Sequence, residues 1–362
     1  MNTPYFENLI IQDKIKSFFN NVIRNDHLAH AYLFYGNGGT GKVAFALELA
    51  KTLNCIGPQN KPCGECPACI KISNSGHPDV KLIFPISKSV KEEKRSGLIK
   101  QKTQHPYKKL AIPGHLNIPI ETIRELKKEA MYAPFEAKKR VFIISGIEYF
   151  SREAANSFLK LLEEPPDNLM IILIANDINS VLDTIRSRCQ PVLFPMFSEE
   201  QVMKIVAKYF DPNDDLRAII RINQNNIGDI LDNIENSDED IRPIILNYMR
   251  SVASNKWVEI NKINEAIVQT RDKNKALEFI NMMLLWISDA FRFNTVGSGK
   301  DLLNIDMEDV IVKFAGHYNK IDYNQVIIVL EQAYQDIKTN LNVSLTMTNL
   351  AINMQKLLRA NK

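Results

Sequence analysis

The first half of the chain alternates short apolar runs with amphipathic stretches. Segments 31–35 (AYLFY), 80–84 (VKLIF), 141–144 (VFII), 170–174 (MIILI) and 192–194 (VLF) read as strands. Between them, 43–53, 120–131 and 152–164 repeat apolar residues at helical spacing. Strands apolar almost throughout are those covered on both faces, so the alternation predicts a parallel sheet between helices in an α/β domain. Pro165-Pro166 ends the helix SREAANSFLKLLEE, because proline offers no amide donor to continue it. Beyond Phe197 the strand signals stop. Ser198-Glu199-Glu200-Gln201 has the spacing of a capping box. After the polar stretch NSDEDIRP (236–243), helical periodicity runs to the end, as in ALEFINMMLLWISDAF and YNQVIIVLEQAY. The predicted organisation is an α/β domain over 1–197, a small helical domain over 198–242 and an all-α C-terminal domain over 243–362. No internal repeat of fixed period interrupts it.

Composition narrows the function classes. With 362 residues, 45% hydrophobic and 24% charged, the chain is an ordinary globular one long enough for two or three domains, which excludes wholesale disorder. No stretch of ~18 apolar residues predicts a membrane span, and MNTPYFENLI lacks the basic head and apolar run of a secretory signal. A cytoplasmic location is expected. The net charge of +3 is too small to argue for nucleic acid. Positive charge is nevertheless concentrated: 88–109 (KSVKEEKRSGLIKQKTQHPYKK) holds eight Lys or Arg against two Glu. It reads as a solvated, mobile loop, with a DNA-backbone contact as the alternative.

Two motifs carry chemistry. Gly36-Asn37-Gly38-Gly39-Thr40-Gly41-Lys42-Val43 lies between a strand and a helix. There glycine amides can turn inward to phosphates at the positive end of the helix, with Lys42 reaching the outer phosphates. Gly36, Gly38, Gly39, Gly41 and Lys42 are the candidate nucleotide-binding residues. The Ser or Thr that would hold Mg²⁺ is replaced by Val43. The strand VFII then runs into Ser145-Gly146 where two acids would stand; Glu148 follows, its direction unreadable. The pattern leaves ATP binding open and argues against hydrolysis in cis. The second motif is Cys55, Cys63, Cys66 and Cys69, spaced C-x7-C-x2-C-x2-C. Four thiolates complete a tetrahedral Zn²⁺ and leave no place for water, so the expected metal is structural. Unliganded thiols and a redox role are the alternatives. Cys189 stands apart, and His27 and His30 read as packing or hydrogen-bonding residues.

HAYLFYGNGGTGK (30–42), the cysteine cluster, GHPDV (76–80), IETIRELKKEA (120–130), AANSFLKLLEEPPDN (154–168), TIRSRCQ (184–190) and NLNVSLTMTNLAINM (340–354) occur in the order of one family. Together they resemble the clamp-loader branch of the AAA+ ATPases, and within it the delta-prime class of bacterial DNA polymerase III subunits. The resemblance implies an AAA+ P-loop domain (1–197) with a zinc module (55–69), a small helical lid (198–242) and a helical oligomerisation collar (243–362). A basic insertion over about 85–117 departs from the compact family pattern. The resemblance also implies that Arg188, in Ser187-Arg188-Cys189, acts as an arginine finger in trans on a neighbour's ATP, with no catalytic residue in cis. Motor subunits keep an arginine on the small helical domain; here that position reads Gly228. Asn176 stands at a sensor-like position after MIILI, where a structural polar cap is equally compatible. The implied partners are gamma/tau-type motor and delta-type wrench subunits in a hetero-oligomer, a sliding clamp and primed DNA, without a membrane. The rival readings are an ATP-hydrolysing motor or other AAA+ ATPase, and a zinc-dependent DNA-binding module.

Overall fold

A computed structural model describes residues 5–6, 9–57, 61–87, 90–110, 112, 114–208, 210, 214–236, 241–269, 273–297 and 302–359. The chain forms two compact units, Met1–Phe210 with Asn225–Asp232, and Asp211–Gln224 with Asn233–Lys362.

In the first unit, α1 (Asp13–Arg24) leads to β1 (Ala31–Tyr35), and the glycine loop then opens α2 (Lys42–Asn54). The cysteine region carries α3 (Pro67–Ser73), followed by β2 (Val80–Ile83), β3 (Ile86–Ser87), α4 (Glu92–Gln104), β4 (Leu116–Asn117) and α5 (Ile120–Ala130). Next come β5 (Arg140–Ser145), α6 (Arg152–Glu163), β6 (Leu169–Ala175), α7 (Asp183–Arg186), β7 (Gln190–Leu193) and α8 (Glu199–Val206). Five strands make one parallel sheet in the order β2-β5-β6-β1-β7. Ala31 lies opposite Ile171, and Val80 opposite Val141.

All seven residues of β6 are buried, as its continuous apolar run predicts for a strand covered on both faces. One face packs Phe19 of α1 and Phe45 of α2 against Tyr32, Phe34 and Phe194. The other packs Ile123 of α5 with Phe158 and Leu162 of α6 against Leu33, Phe142 and Leu173. Because the strands are parallel, the segments after β1, β5 and β6 emerge at one edge of the sheet. The glycine loop, Gly146 and Asn176 therefore converge there, the usual place for a ligand crevice in open α/β sheets.

The basic stretch differs from the solvated loop expected of it. β3 and β4 form a two-stranded antiparallel ribbon, Ile86 opposite Asn117, and the helix α4 lies between them. Its order comes from contacts that composition does not disclose. Thr103 is buried, Ile99 packs on the core around Phe45, and Lys102 Nζ donates to Lys108 O at 2.6 Å. Burial lowers Lys102 to about 8. Lys88 and Ser89 lie outside the described residues.

At Ser198 the capping box forms in full: Gln201 N–H donates to Ser198 Oγ and Ser198 N–H to Gln201 Oε1. Two further helices follow, α9 (Asp214–Ile222) and α10 (Ile227–Asn236), the latter entering the first unit through Asp232. The second unit continues with α11 (Ile241–Ser254), α12 (Trp257–Gln269), α13 (Lys273–Val296), α14 (Glu308–His317), α15 (Tyr323–Lys338) and α16 (Val343–Arg359). They share one core that includes Tyr248, Phe279, Trp286, Leu330 and Leu350. Buried Asp289 accepts hydrogen bonds from the amides of Leu303 and Asn304, both at 2.8 Å, which fixes the approach to α14. Among the described residues no helix is long and apolar enough to cross a membrane.

Candidate functional site

The glycine loop has the strand–loop–helix setting that its sequence predicts, but its phosphate seat is filled by protein. Lys42 is buried, and its ammonium donates to Gly36 O, to Asn37 O at 2.6 Å and to Thr40 Oγ1 at 3.3 Å. An ammonium has three N–H donors, so none is left for a phosphate. Burial lowers Lys42 to about 8, against the opposing pull of Glu148. The glycines are packed closely. A Cβ on Gly39 would lie 2.6 Å from Asn226 Cγ and 2.8 Å from Ile227 N; one on Gly41 would lie 3.0 Å from Phe197 and 3.3 Å from Tyr107. A Cβ on Gly38 would lie 3.5 Å from Asn226 Nδ2, and Gly36 sits against the Phe194 backbone. Val43 supplies no oxygen for a metal ion. In this conformation the loop does not fit a nucleotide.

The acids fare no better. Ser145 ends β5, and Gly146 follows with φ +75°, where a Cβ would come 2.9 Å from Pro85 Cδ. Glu148, whose direction the sequence leaves unread, is aimed at Asn176. Its Oε1 accepts from Asn176 Nδ2 at 3.1 Å and from Asn176 N–H at 3.3 Å. Asn176 thus positions an acid near Lys42 rather than reaching a ligand itself. A Cβ on Gly228, where the resemblance would have an arginine in motor subunits, would lie 3.1 Å from Lys109 Cγ and 3.3 Å from Tyr107 O. The insertion leaves only a tight fit for a side chain at 228.

The four cysteines do come together. Their sulfurs all lie within 4.8 Å of one another, and a Zn²⁺ with ~2.3 Å bonds to four sulfurs needs edges of about 3.8 Å. Backbone amides are already aimed at them. Cys63 N–H donates to Cys55 Sγ and Cys66 N–H to Cys63 Sγ, both at 3.4 Å. Burial opposes ionisation of Cys66, yet hydrogen bonds from the amides of Cys69 and Ile56 bring it down to about 6, while burial pushes Cys69 up. Donors around a thiolate are what a cationic metal site requires before the metal adds its own charge. Gly57 closes the cluster, since a Cβ there would meet Cys63 Sγ at 2.9 Å. The residues fit one tetrahedral ion; Cys55, Cys63, Cys66 and Cys69 would hold it, and its role would be cross-linking. Cys189 is buried elsewhere, in the core beside Ile185, and burial pushes its thiol up to about 12. His27 and His30 are both exposed and take no part in the cluster; His27 Nδ1 pairs with Asn25 O, which fits the hydrogen-bonding role expected of it, while exposure removes the packing role.

One feature outside those motifs organises the same unit. Asp79 is fully buried and accepts from the amides of Phe135, Glu136 and Ala137 at 2.8 to 3.0 Å and from Arg140 Nη2 at 2.9 Å. Burial would raise its carboxyl, but these donors outweigh it and hold Asp79 at about 2. Arg140 donates from Nη1 to the carbonyls of Glu129 and Tyr132 and from Nη2 to that of Ala133. The pair pins the segment from α5 to β5 at both ends. Along it Met131, Tyr132 and Phe135 stand 80%, 66% and 84% exposed. The only sequence signal was the GHPDV stretch; its partner Arg140 is 61 residues away.

Arg188 follows α7 at the surface. Its Nη2 is 2.7 Å from Glu163 Oε1, and its Nη1 donates to Thr184 O at 2.9 Å. The guanidinium is therefore oriented while still partly exposed.

A family profile described as "DNA polymerase III, delta subunit" matches residues 11–198. The Bacillus subtilis protein "DNA polymerase III subunit delta'" is 26% identical over 351 residues, covering 96% of this chain and 97% of its own. The "DNA polymerase III subunit gamma/tau" of Mycoplasma pneumoniae is 30% identical over 203 residues, 56% of this chain but 26% of the relative. A solved gamma-subunit-related structure from Thermotoga maritima, 15% identical, covers 94% of this chain and 99% of its own with a TM-score of 0.43. With a profile match across more than half its length and a relative aligned nearly end to end, the chain belongs to the DNA polymerase III delta family of clamp-loader subunits.

Proposed function

We propose that the chain is the non-hydrolysing, delta-prime-type subunit of a bacterial replicative clamp loader. In this reading it helps gamma/tau-type and delta-type subunits place a sliding clamp on primed DNA in the cytoplasm. The observation that carries the reading is Lys42, whose three donors are consumed by Gly36, Asn37 and Thr40. A P-loop lysine committed to its own loop, beside Val43 and Gly146, has lost the parts that bind Mg²⁺ and orient water. Arg188 supplies the complementary half. Held by Glu163 and open to solvent, it is disposed to reach a neighbouring subunit's phosphate, where a planar guanidinium stabilises developing charge.

The rest of the chain supports an assembly role. Four cysteines are set for one structural zinc in the loop after α2. Exposed Met131, Tyr132 and Phe135, fixed by Asp79 and Arg140, offer a rigid apolar face to a protein partner. The reading keeps a division at residues 197 and 242, with 198–242 as a small lid and 243–362 as the collar that joins subunits.

A working ATPase is the second reading, favoured by one observation: Glu148 keeps a carboxylate beside Asn176 and within electrostatic reach of Lys42. ATP turnover by the purified chain separates the two. The proposal expects none above background. Turnover of about 1 s⁻¹ that disappears in Lys42→Ala would favour the second reading.

A further inference from the structure

The insertion between β3 and β4 ends on the phosphate loop. Tyr107 lies 3.3 Å from the Cβ position of Gly41, on the side also covered by Phe197, and its hydroxyl donates to Ile10 O at 3.5 Å. Two residues on, Lys109 pairs with Asp229, and its stem fills the space beside Gly228. The turn it holds is the start of α10. There Asn226 Oδ1 accepts from Gly228 N–H at 3.1 Å and Asp229 N–H at 3.4 Å, so Asn226 caps the helix while resting on Gly39. All of these residues belong to the first compact unit.

We propose that the insertion is a built-in lid: Tyr107 and Lys109 pin the 225–229 turn onto Gly39 and Gly41, and this closes the phosphate loop to nucleotide in the free protein. The inference goes beyond the clamp-loader role and stands apart from it, because a lid can close whatever assembly the chain joins. Its physical basis is competition for one space. The triphosphate of a nucleoside triphosphate needs the backbone of the glycine loop, against which the seated turn rests at Gly38 and Gly39, and it needs the Lys42 ammonium, which the closed loop spends on its own Gly36, Asn37 and Thr40. Most of the hold comes from Tyr107, since an ion pair as exposed as Lys109–Asp229 contributes little by itself. Gly228 is part of the device. A Cβ there would already sit tight against the Lys109 stem and the Tyr107 carbonyl, at 3.1 and 3.3 Å, and a side chain as long as arginine has to displace them to extend.

The full-length protein can be titrated with a fluorescent ATP analogue, with and without Mg²⁺, by anisotropy. Hydrogen exchange of the 36–43 amides is followed in parallel. Two independent openings are compared with the parent: the double variant Tyr107→Ala with Lys109→Glu, and Gly228→Arg, which leaves the insertion's sequence intact. The lid requires no saturable binding by the parent at millimolar analogue. It also requires at least tenfold tighter binding by both variants, faster exchange confined to 36–43 and 225–229, and loss of the gained binding when Lys42→Ala is added. Parent binding equal to that of the variants would overturn it. So would faster exchange without any gain in binding. ATPase and clamp-loading rates do not enter this comparison, so the lid and the clamp-loader role fail by different results.

Discussion

Arg188 Nη2 and Glu163 Oε1 stand 2.7 Å apart, joining the last turn of α6 to the turn that precedes β7. The contact connects the two sequence motifs that are most specific in the chain, LLEEPP and SRC, and gives the first a role toward the second. Glu163 orients a guanidinium that would otherwise sample many rotamers at the surface.

Because both partners are over a third exposed, the pair adds only ~0–1 kcal/mol to stability. Glu163→Gln should therefore shift the melting temperature by no more than about 4 °C. The same substitution should reduce DNA-stimulated ATP hydrolysis in a reconstituted loader less than loss of Arg188 does. A large drop in stability would show that the pair is structural instead.

Protein purified without chelator should contain one zinc per chain, as measured by elemental analysis. Cys66→Ser should lose it and melt several degrees lower, since a structural zinc site contributes folding free energy directly. Cys189→Ser should retain full zinc content, because Cys189 lies in a different core. A metal-free parent would remove zinc from the account.

Asp79 sets an acid limit. Its carboxyl is held at about 2 against an ordinary 3.8, so the folded state prefers it ionised. A depressed carboxylate contributes stability that is complete above pH 3.8 and lost as pH falls through about 2. The contribution is about 2 kcal/mol. Denaturant melts from pH 6 to pH 2 should show this slope in the parent and a flatter one in Asp79→Asn. At neutral pH that variant should also lose about 3–5 kcal/mol, because it leaves Arg140 buried without its counter-charge.

Gly146 resists restoration of the missing acid. With φ at +75° and Pro85 Cδ 2.9 Å from the place of a Cβ, Gly146→Glu should cost at least about 1–3 kcal/mol and gain no ATPase activity, even with Val43→Thr. Chemical denaturation and a phosphate-release assay test both halves.

The sheet and its helices were legible because their signals are local. The run AYLFY is β1, the apolar MIILI is the centre of β6, and Pro165-Pro166 does end α6 after Glu163. Cysteine spacing likewise announced a cluster whose sulfurs meet. What escaped depends on partners far away in the chain. Segment 92–104 is too polar to show an apolar face, and its order rests on Ile99 against the core and on Lys102 and Thr103. Glu148 could not be oriented before the φ of Gly146 was known, and Asp79 became an organiser only once Arg140 was beside it. Lys42 matched its motif by identity, yet its donors turned inward, which a motif cannot express.

The most direct test of a trans-acting role is the steady-state, DNA-stimulated ATPase rate of a loader reconstituted with the Arg188→Ala chain. A guanidinium aimed at transition-state charge is worth roughly 10³–10⁵ at a single site in other NTPases. The whole assembly should fall severalfold rather than to zero if other interfaces carry their own arginines. Arg188→Lys should recover only part of the rate, because an ammonium lacks the planar fork. The variant chain should still fold, bind zinc and enter the complex. An unchanged ATPase rate in an intact Arg188→Ala complex would contradict the account and leave this subunit a scaffold alone.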